Sequence, residues 1–284
     1  MNHVHTSPQE SDHAEILDLD AVVLADHLAS IVSELPVAIA GPRRVVDLGC
    51  GTGAGTFALL DRFPDARVTA VDASAGHLHR LREKARERGV ADRITTVEAD
   101  LDADWPELAD PVAGGPDLVW ASASLHHLAD PDRALRRVRD LLAPGGLFAV
   151  VELAGFPRFL PVDAPEEAPG LEERCHAAAD RRHAAHVPHR GADWGPMLTA
   201  AGFTVEDTRT LAVTVDSARS ASIGRYALAG FQRLRGAVAD TLPAADLAAL
   251  DRLLDADSPH ALRGRSDLAL RTERTVWTAR RDIS

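Results

Sequence analysis

The sequence predicts an α/β fold, a mostly parallel sheet covered by helices on both faces. Three observations carry that prediction. Short β-rich runs recur along the chain at Val45-Val46-Asp47-Leu48, Val68 to Val71, Ile94 to Val97, Asp117 to Ala121 and Leu147 to Val151. Segments with apolar residues at helical spacing separate most of them, and strands alternating with helices build parallel sheets. The first run ends in closely spaced glycines, as a strand does when it turns tightly into a helix.

Residues 1–13 are polar and His-rich and read as a flexible tail. From Ala14 to Leu35 the residues Leu24, Leu28, Ile31 and Leu35 share a helical face that Pro36 ends, so 14–42 is expected to be a capping N-terminal helix. A helix from about Gly55 to Arg62 follows the first strand, and one from about Ser74 to Arg88 the second, with Gly89 as its left-handed stop. Asp130 fits an N-cap with Pro131 at the first helical position, Leu135, Val138 and Leu142 carry the buried stripe, and Pro144-Gly145-Gly146 ends the helix.

After Glu152 the rhythm breaks, and Pro157, Pro161, Pro165 and Pro169 mark a loop. Helices are expected at about 171–186 and 193–201, then a strand from about Phe203 to Val215, helical structure over about 218–254, and a closing strand from about Asp267 to Ala279. Residues 43–152 form the expected ligand-binding core. Residues 153–284 supply the rest of the sheet, with helical lid insertions at about 153–200 and 216–262. Ile223, Ala227, Leu234 and Val238 share one face of the second insertion, which reads as a lid helix packed on the sheet edge. Tyr226, Phe231, Phe156 and Phe159 are candidates for an acceptor pocket or for core.

Composition narrows the class. At 284 residues, 45% hydrophobic and 26% charged, the chain suits one decorated core, since single cores stop growing near ~250–300 residues. The net charge of −12, with no basic run longer than the pairs Arg43-Arg44, Arg136-Arg137, Arg181-Arg182 and Arg280-Arg281, argues against nucleic acid and anionic membranes. Cys50 and Cys175 are too few for a disulfide framework, no signal peptide is recognisable, and no apolar run approaches the ~20 residues of a membrane span, so the cytoplasm is expected.

The informative segment is Val45-Val46-Asp47-Leu48-Gly49-Cys50-Gly51-Thr52-Gly53. Glycines there let the backbone approach a ligand without a Cβ in the way. Asp47 precedes the first glycine, and a carboxylate aimed at the ligand repels a pyrophosphate but suits an ammonium and a sulfonium. Val71-Asp72 ends the next strand, where an acid accepts both hydroxyls of a ribose. Asp100-Leu101 follows the third strand and can hold an adenine amine and ring face.

This pattern resembles the class I S-adenosylmethionine-dependent methyltransferase family, in its small-molecule branch, over residues 43–152. Leu125-His126-His127-Leu128, Leu142-Ala143-Pro144-Gly145-Gly146 and the closing Arg274-Thr275-Val276-Trp277-Thr278 add to the likeness. The resemblance implies a Rossmann-like seven-stranded sheet with an antiparallel last strand. It implies S-adenosyl-L-methionine as cofactor, held by Asp47, Gly49, Cys50, Gly51, Gly53, Asp72, Ala73, Asp100, Leu101 and Ala121, and methyl transfer to a small-molecule O-, N- or C-nucleophile. A cofactor-binding protein without transfer, cyclase-like or a partner subunit, is the alternative. A nicotinamide-dependent reductase is a weaker one, because Gly49, Gly51 and Ala54 formally satisfy dinucleotide spacing while Asp47 opposes it.

His126 and His127, and Glu152 at the end of the fifth strand, are candidate general bases; against them stand packing over the cofactor, a helix cap and a salt bridge. Asp100 has an Asx-turn as its structural counterpart, and Asp102 or Asp104 can replace it if the register shifts. His183, His186 and His189, with Cys175-His176 upstream, raise the question of zinc, but Pro188 interrupts the helix and no metal is expected. The lid and an exposed sheet edge each leave a homodimer open.

Overall fold

The computed structural model describes residues 8–103, 105, 106, 108, 114–183 and 187–283. Five parallel strands come first: β1 (Arg44–Leu48), β2 (Arg67–Asp72), β3 (Ile94–Glu98), β4 (Leu118–Ser122) and β5 (Leu147–Leu153). The chain then adds β6 (Phe203–Asp216) and β7 (Ala269–Arg281). The sheet order is β3-β2-β1-β4-β5-β7-β6, with β7 antiparallel to both neighbours. This is the expected seven-stranded Rossmann-like sheet. β1 pairs with β2 on one side and β4 on the other, so the strand order reverses there and a crevice opens beyond the carboxyl ends of β1 and β4.

Alternate strand residues face opposite layers. Val45, Leu118, Trp120 and Ala149 pack under α2 (Ala25–Ser33) and α3 (Ala54–Arg62). Val46, Val119, Ala121 and Phe148 pack under α5 (Pro131–Leu141) and α7 (Trp194–Ala200). Local chemistry sets the ends. Ser74 accepts the His77 amide at the start of α4 (Ala75–Glu87), and Gly89 follows at φ +68°. Asp130 accepts the Arg133 amide at the start of α5, with Pro131 in the first turn.

A second apolar cluster lies beyond the sheet edge. It joins α1 (Pro8–Val23), α6 (Leu171–His183), α8 (Ile223–Val238) and α9 (Ala244–Leu254) through Leu19, Leu171, Ala227, Phe231 and Leu250. The stripe Ile223, Ala227, Leu234 and Val238 is buried in it, as a packed lid helix requires. Phe159, Tyr226 and Phe231 are buried in the same cluster rather than on a pocket wall, and Phe156 lies under the Arg190 guanidinium. β7 carries this cluster because it outruns β5: its last pairing with β5 is Arg274 with Leu153, while residues 269–273 continue between β6 and the 154–159 segment, with Arg271 bridging Arg158.

The N-terminus departs from expectation. α1 begins at Pro8, inside the segment taken for a tail, and one long helix becomes two, with Leu24 at φ −102°, ψ 16° leaving the helical path between α1 and α2. The amide of Leu24 still bonds the Asp20 carbonyl and its own carbonyl accepts from Leu28, so the break costs little. His186 and Asp104 lie outside the described residues, as does the side chain of His183.

Candidate active site

A cavity of about 550 Å³ occupies the crevice. Small-molecule sites span roughly 300–1,000 Å³, so a nucleoside and a small acceptor can share it. Its floor is the turn after β1. Gly49 (φ +67°) and Gly51 (φ +53°) both adopt left-handed conformations, and the Cys50 amide donates to the Val71 carbonyl at 2.9 Å. A Cβ on Gly49 would overlap the Ser124 side chain, and one on Gly51 would press on Leu17 of α1 at 3.1 Å. Cys50 lines the cavity, and burial raises its thiol far above the usual range, so it is a wall and not a nucleophile.

Asp47 sits at the base of this floor, 2% exposed, accepting the Thr56 hydroxyl at 2.6 Å. Burial pushes its carboxyl up to about 7, helped by the charge of Asp72. Asp72 accepts the Gly51 amide at 2.8 Å and the Ser74 amide at 2.9 Å, with His77 Nδ1 at 3.1 Å. Burial works against its charge, but the bonds from His77, Ser74 and Gly51 outweigh it and hold the carboxyl below its ordinary range. Those three contacts leave about one of its four acceptor positions for a ligand hydroxyl.

Ala73, Asp100 and Leu101 line the neighbouring wall. Asp100 also closes the Asx-turn, accepting the Asp102 amide at 2.9 Å, while it stands on the cavity wall. Asp102 is committed to the amides of Ala129 and Asp130 ahead of α5.

Two of the expected cofactor residues are off the wall. Gly53 is the N-cap of α3 at φ +98°, where a Cβ would meet Phe57 and Leu81; Gly55, two residues on, faces the cavity instead. Ala121 is fully buried under α5, on the opposite layer from Trp120, while Ser122, Ala123 and Ser124 reach the cavity. The turn at Ala123 (φ +52°) resets the two-residue alternation at the strand end.

The three candidate bases separate as well. Glu152 is 2% exposed and accepts the amides of Ser124 (3.0 Å) and Leu125 (2.8 Å), and His126 Nδ1 lies 2.7 Å from its other oxygen. Glu152 and His126 therefore form an internal brace for the β4 exit, and neither lines the cavity. His127 does line it, its ring tilted by 41° against the His126 ring with centroids 4.2 Å apart. Burial and the His126 neighbour lower His127 to about 4, so it is neutral at pH 7.

The N-terminal segment expected as a cap supplies wall residues that were not foreseen as site residues. Leu17, Ala21 and Leu24, then Leu28 and Ile31, roof the cavity. Asp18 pins α1 down, taking the Thr52 hydroxyl at 2.6 Å and pairing with Arg80 at 2.6 Å and with Lys84. His13 meets the His77 ring edge-on at 5.4 Å. Arg274, on β7, completes the far wall. A capping box or a glycine pair would have announced none of these. Among the described residues no group of His, Cys, Asp and Glu is arranged to hold a metal, and His189 packs near Trp194 instead.

The charged side chains on this wall are Asp20, Asp47, Asp72, Asp100 and Asp102 against Arg274, whose guanidinium is paired with Asp20. Such a lining suits a cation and repels a pyrophosphate. A Rossmann-like sheet with an acidic, glycine-floored crevice at its switch point offers a site suited to a positively charged nucleoside.

Comparison with known proteins agrees. Residues 46–148 match the family model described as a methyltransferase domain. The chain is 35% identical over 185 residues to the trans-aconitate 2-methyltransferase of Methylobacterium nodulans, covering 64% of this chain and 65% of that one. It is 39% identical over 120 residues to the enzyme of that name from Paracidovorax citrulli, covering 42% of each. It spans 25% of the length of a Synechococcus protein to which it is 41% identical over 110 residues. In fold it is similar to the YcgJ protein of Bacillus subtilis (TM-score 0.54, 17% identity, 90% of this chain and 99% of that one). It is similar also to the [4+2]-cyclase SpnF (TM-score 0.53, 22% identity, 92% and 82%). Residues 46–148 thus match a methyltransferase domain, and the acidic crevice suits the S-adenosylmethionine that the sequence resemblance implies.

Proposed function

We propose that this protein transfers the methyl group of S-adenosyl-L-methionine to a small-molecule acceptor bound in the same cavity. The observation that carries the proposal is the convergence of Asp47, Gly49, Gly51, Asp72 and Asp100 on one acidic crevice. In this reading Gly49, Cys50 and Gly51 cradle the methionine part, Asp72 takes a ribose hydroxyl, and Asp100 with Leu101 takes the adenine. The cofactor supplies an already activated methyl group. What the chain adds is positioning and exclusion of water, through the apolar roof of Leu17, Leu24, Leu28 and Ile31. His127, neutral at pH 7, is an acceptor for a proton on the attacking group and orients it; the brace of Glu152 and His126 holds His127 in place.

Calorimetry with S-adenosylhomocysteine tests the binding half: no heat with wild-type protein ends the proposal. Accumulation of S-adenosylhomocysteine during turnover separates methyl transfer from a cyclase-like use of the cofactor, since the fold is shared by both. The proposed setting is the cytoplasm; no helix among the described residues is long and apolar enough to cross a membrane. Pairing of two copies stays part of the proposal, and sedimentation velocity checks it.

A further inference from the structure

Arg274 is the only cationic side chain on the cavity wall among the described residues, and nothing in the proposed cofactor contacts uses it. It is 8% exposed. Its Nη2 donates to both carboxylate oxygens of Asp20 at 2.8 Å, and the Tyr226 hydroxyl donates to the same carboxylate at 2.7 Å. Three elements, α1, α8 and β7, thus cooperate to hold one guanidinium at a fixed angle. A buried ion pair contributes little net stability, because desolvation offsets the Coulomb attraction. Its effect here is orientation.

The oriented group is incompletely used. Nε of Arg274 has no hydrogen-bond partner among the described residues, and neither has Nε2 of His27, which lines the same cavity. Buried donors are rarely left unpaired without a reason. Burial, then the Arg274 charge, holds His27 below its ordinary range and so neutral, although Asp20 pulls the other way. With Nη2 taken by Asp20, Nε is left as a charge-assisted donor suited to a carboxylate oxygen.

We infer that Arg274, held by Asp20 and Tyr226 and seconded by His27, anchors a carboxylate of the ligand in this cavity. The inference rests on the cavity being the cofactor and acceptor site. Two sources carry that chemistry: the methionine part of the cofactor, or a carboxylic acid acceptor.

Calorimetry on the full chain distinguishes them. Wild type, Arg274→Lys and Arg274→Met are titrated with S-adenosylhomocysteine and with its decarboxylated analogue. Each is then titrated, with S-adenosylhomocysteine bound, with benzoate and hexanoate against benzamide and hexanamide. Loss of a charge-assisted hydrogen bond weakens binding about 10- to 100-fold in Kd. If the cofactor is the source, Arg274→Met weakens S-adenosylhomocysteine by that factor and leaves the decarboxylated analogue unchanged. If the acceptor is the source, S-adenosylhomocysteine binds all three proteins alike, while the acids lose affinity and the amides do not. Asp20→Asn combined with Arg274→Met removes the uncompensated carboxylate, so a folding defect of the single variant does not blur the outcome. Equal binding of S-adenosylhomocysteine and of the acids by wild type and variants overturns the inference. Absence of S-adenosylhomocysteine binding to wild type refutes the methyltransferase proposal itself.

Discussion

Gly49→Ala is the sharpest test of how the floor of the cavity is built. Gly49 has φ +67°, and an added Cβ would run into the side chain of Ser124, whose hydroxyl donates to the Leu48 carbonyl at 2.9 Å. Left-handed backbone with a Cβ costs about 1–2 kcal/mol. Overpacking against a fixed neighbour adds about 1–3 kcal/mol. Gly89 separates the two costs, because it has nearly the same φ of +68° and nothing within 4 Å of its added Cβ. Gly89→Ala should therefore lose about 1–2 kcal/mol and Gly49→Ala about 2–5 kcal/mol, read from urea midpoints. Adding Ser124→Gly to Gly49→Ala should recover most of the difference. Equal losses for Gly49→Ala and Gly89→Ala would show that Ser124 does not close under the turn.

Asp72→Ala should weaken S-adenosylhomocysteine about 10- to 100-fold by calorimetry, since it removes a charged acceptor and frees the Gly51 amide that the carboxylate holds; an unchanged Kd removes Asp72 from the ribose. Asp47 titrates near 7 in the folded chain, above its ordinary value of 3.8, so its protonated form stabilises at low pH and that contribution is lost as pH rises through about 7. Asp47→Asn should therefore be more stable than wild type at pH 8 and lose that advantage by about pH 4, and a gap independent of pH contradicts the assignment. Binding a cation favours ionised Asp47, so S-adenosylmethionine should bind wild type more tightly from pH 6 to pH 8 while S-adenosylhomocysteine changes less; the same slope in Asp47→Asn rejects this. Glu152→Gln puts an amide among donors to Glu152 and should cost about 2–4 kcal/mol in urea denaturation, with a loss below about 1 kcal/mol ruling out the brace.

What the sequence made legible is what lies close along the chain. Strand, glycines and the acid ending the next strand follow in order, so Gly49, Gly51 and Asp72 could be placed from spacing alone. Side-chain direction at strand ends could not. Ala121 and Ser122 differ by one position, and the left-handed turn at Ala123 decides what reaches the cavity after them. Gly53 reads as ligand-binding in the motif, yet Phe57 and Leu81 show that it is needed for α3 to start where it does. Glu152 looked like a base because it ends a strand at the right edge; only the fold shows that its oxygens are already occupied by Ser124, Leu125 and His126. The wall residues of α1 and Arg274 were invisible for a different reason. Asp20 and Arg274 meet across 254 positions, and no local pattern records such a pairing.

The overhang of β7 past β5 gives the molecule a division of labour in its architecture. Residues 269–273 and the facing part of β6 carry the helical cluster, while the next residue along β7, Arg274, stands on the cavity wall. No described residue of α6, α8 or α9 lines the cavity, so substitutions there reach it only indirectly, as Tyr226 does through Asp20 and Arg274.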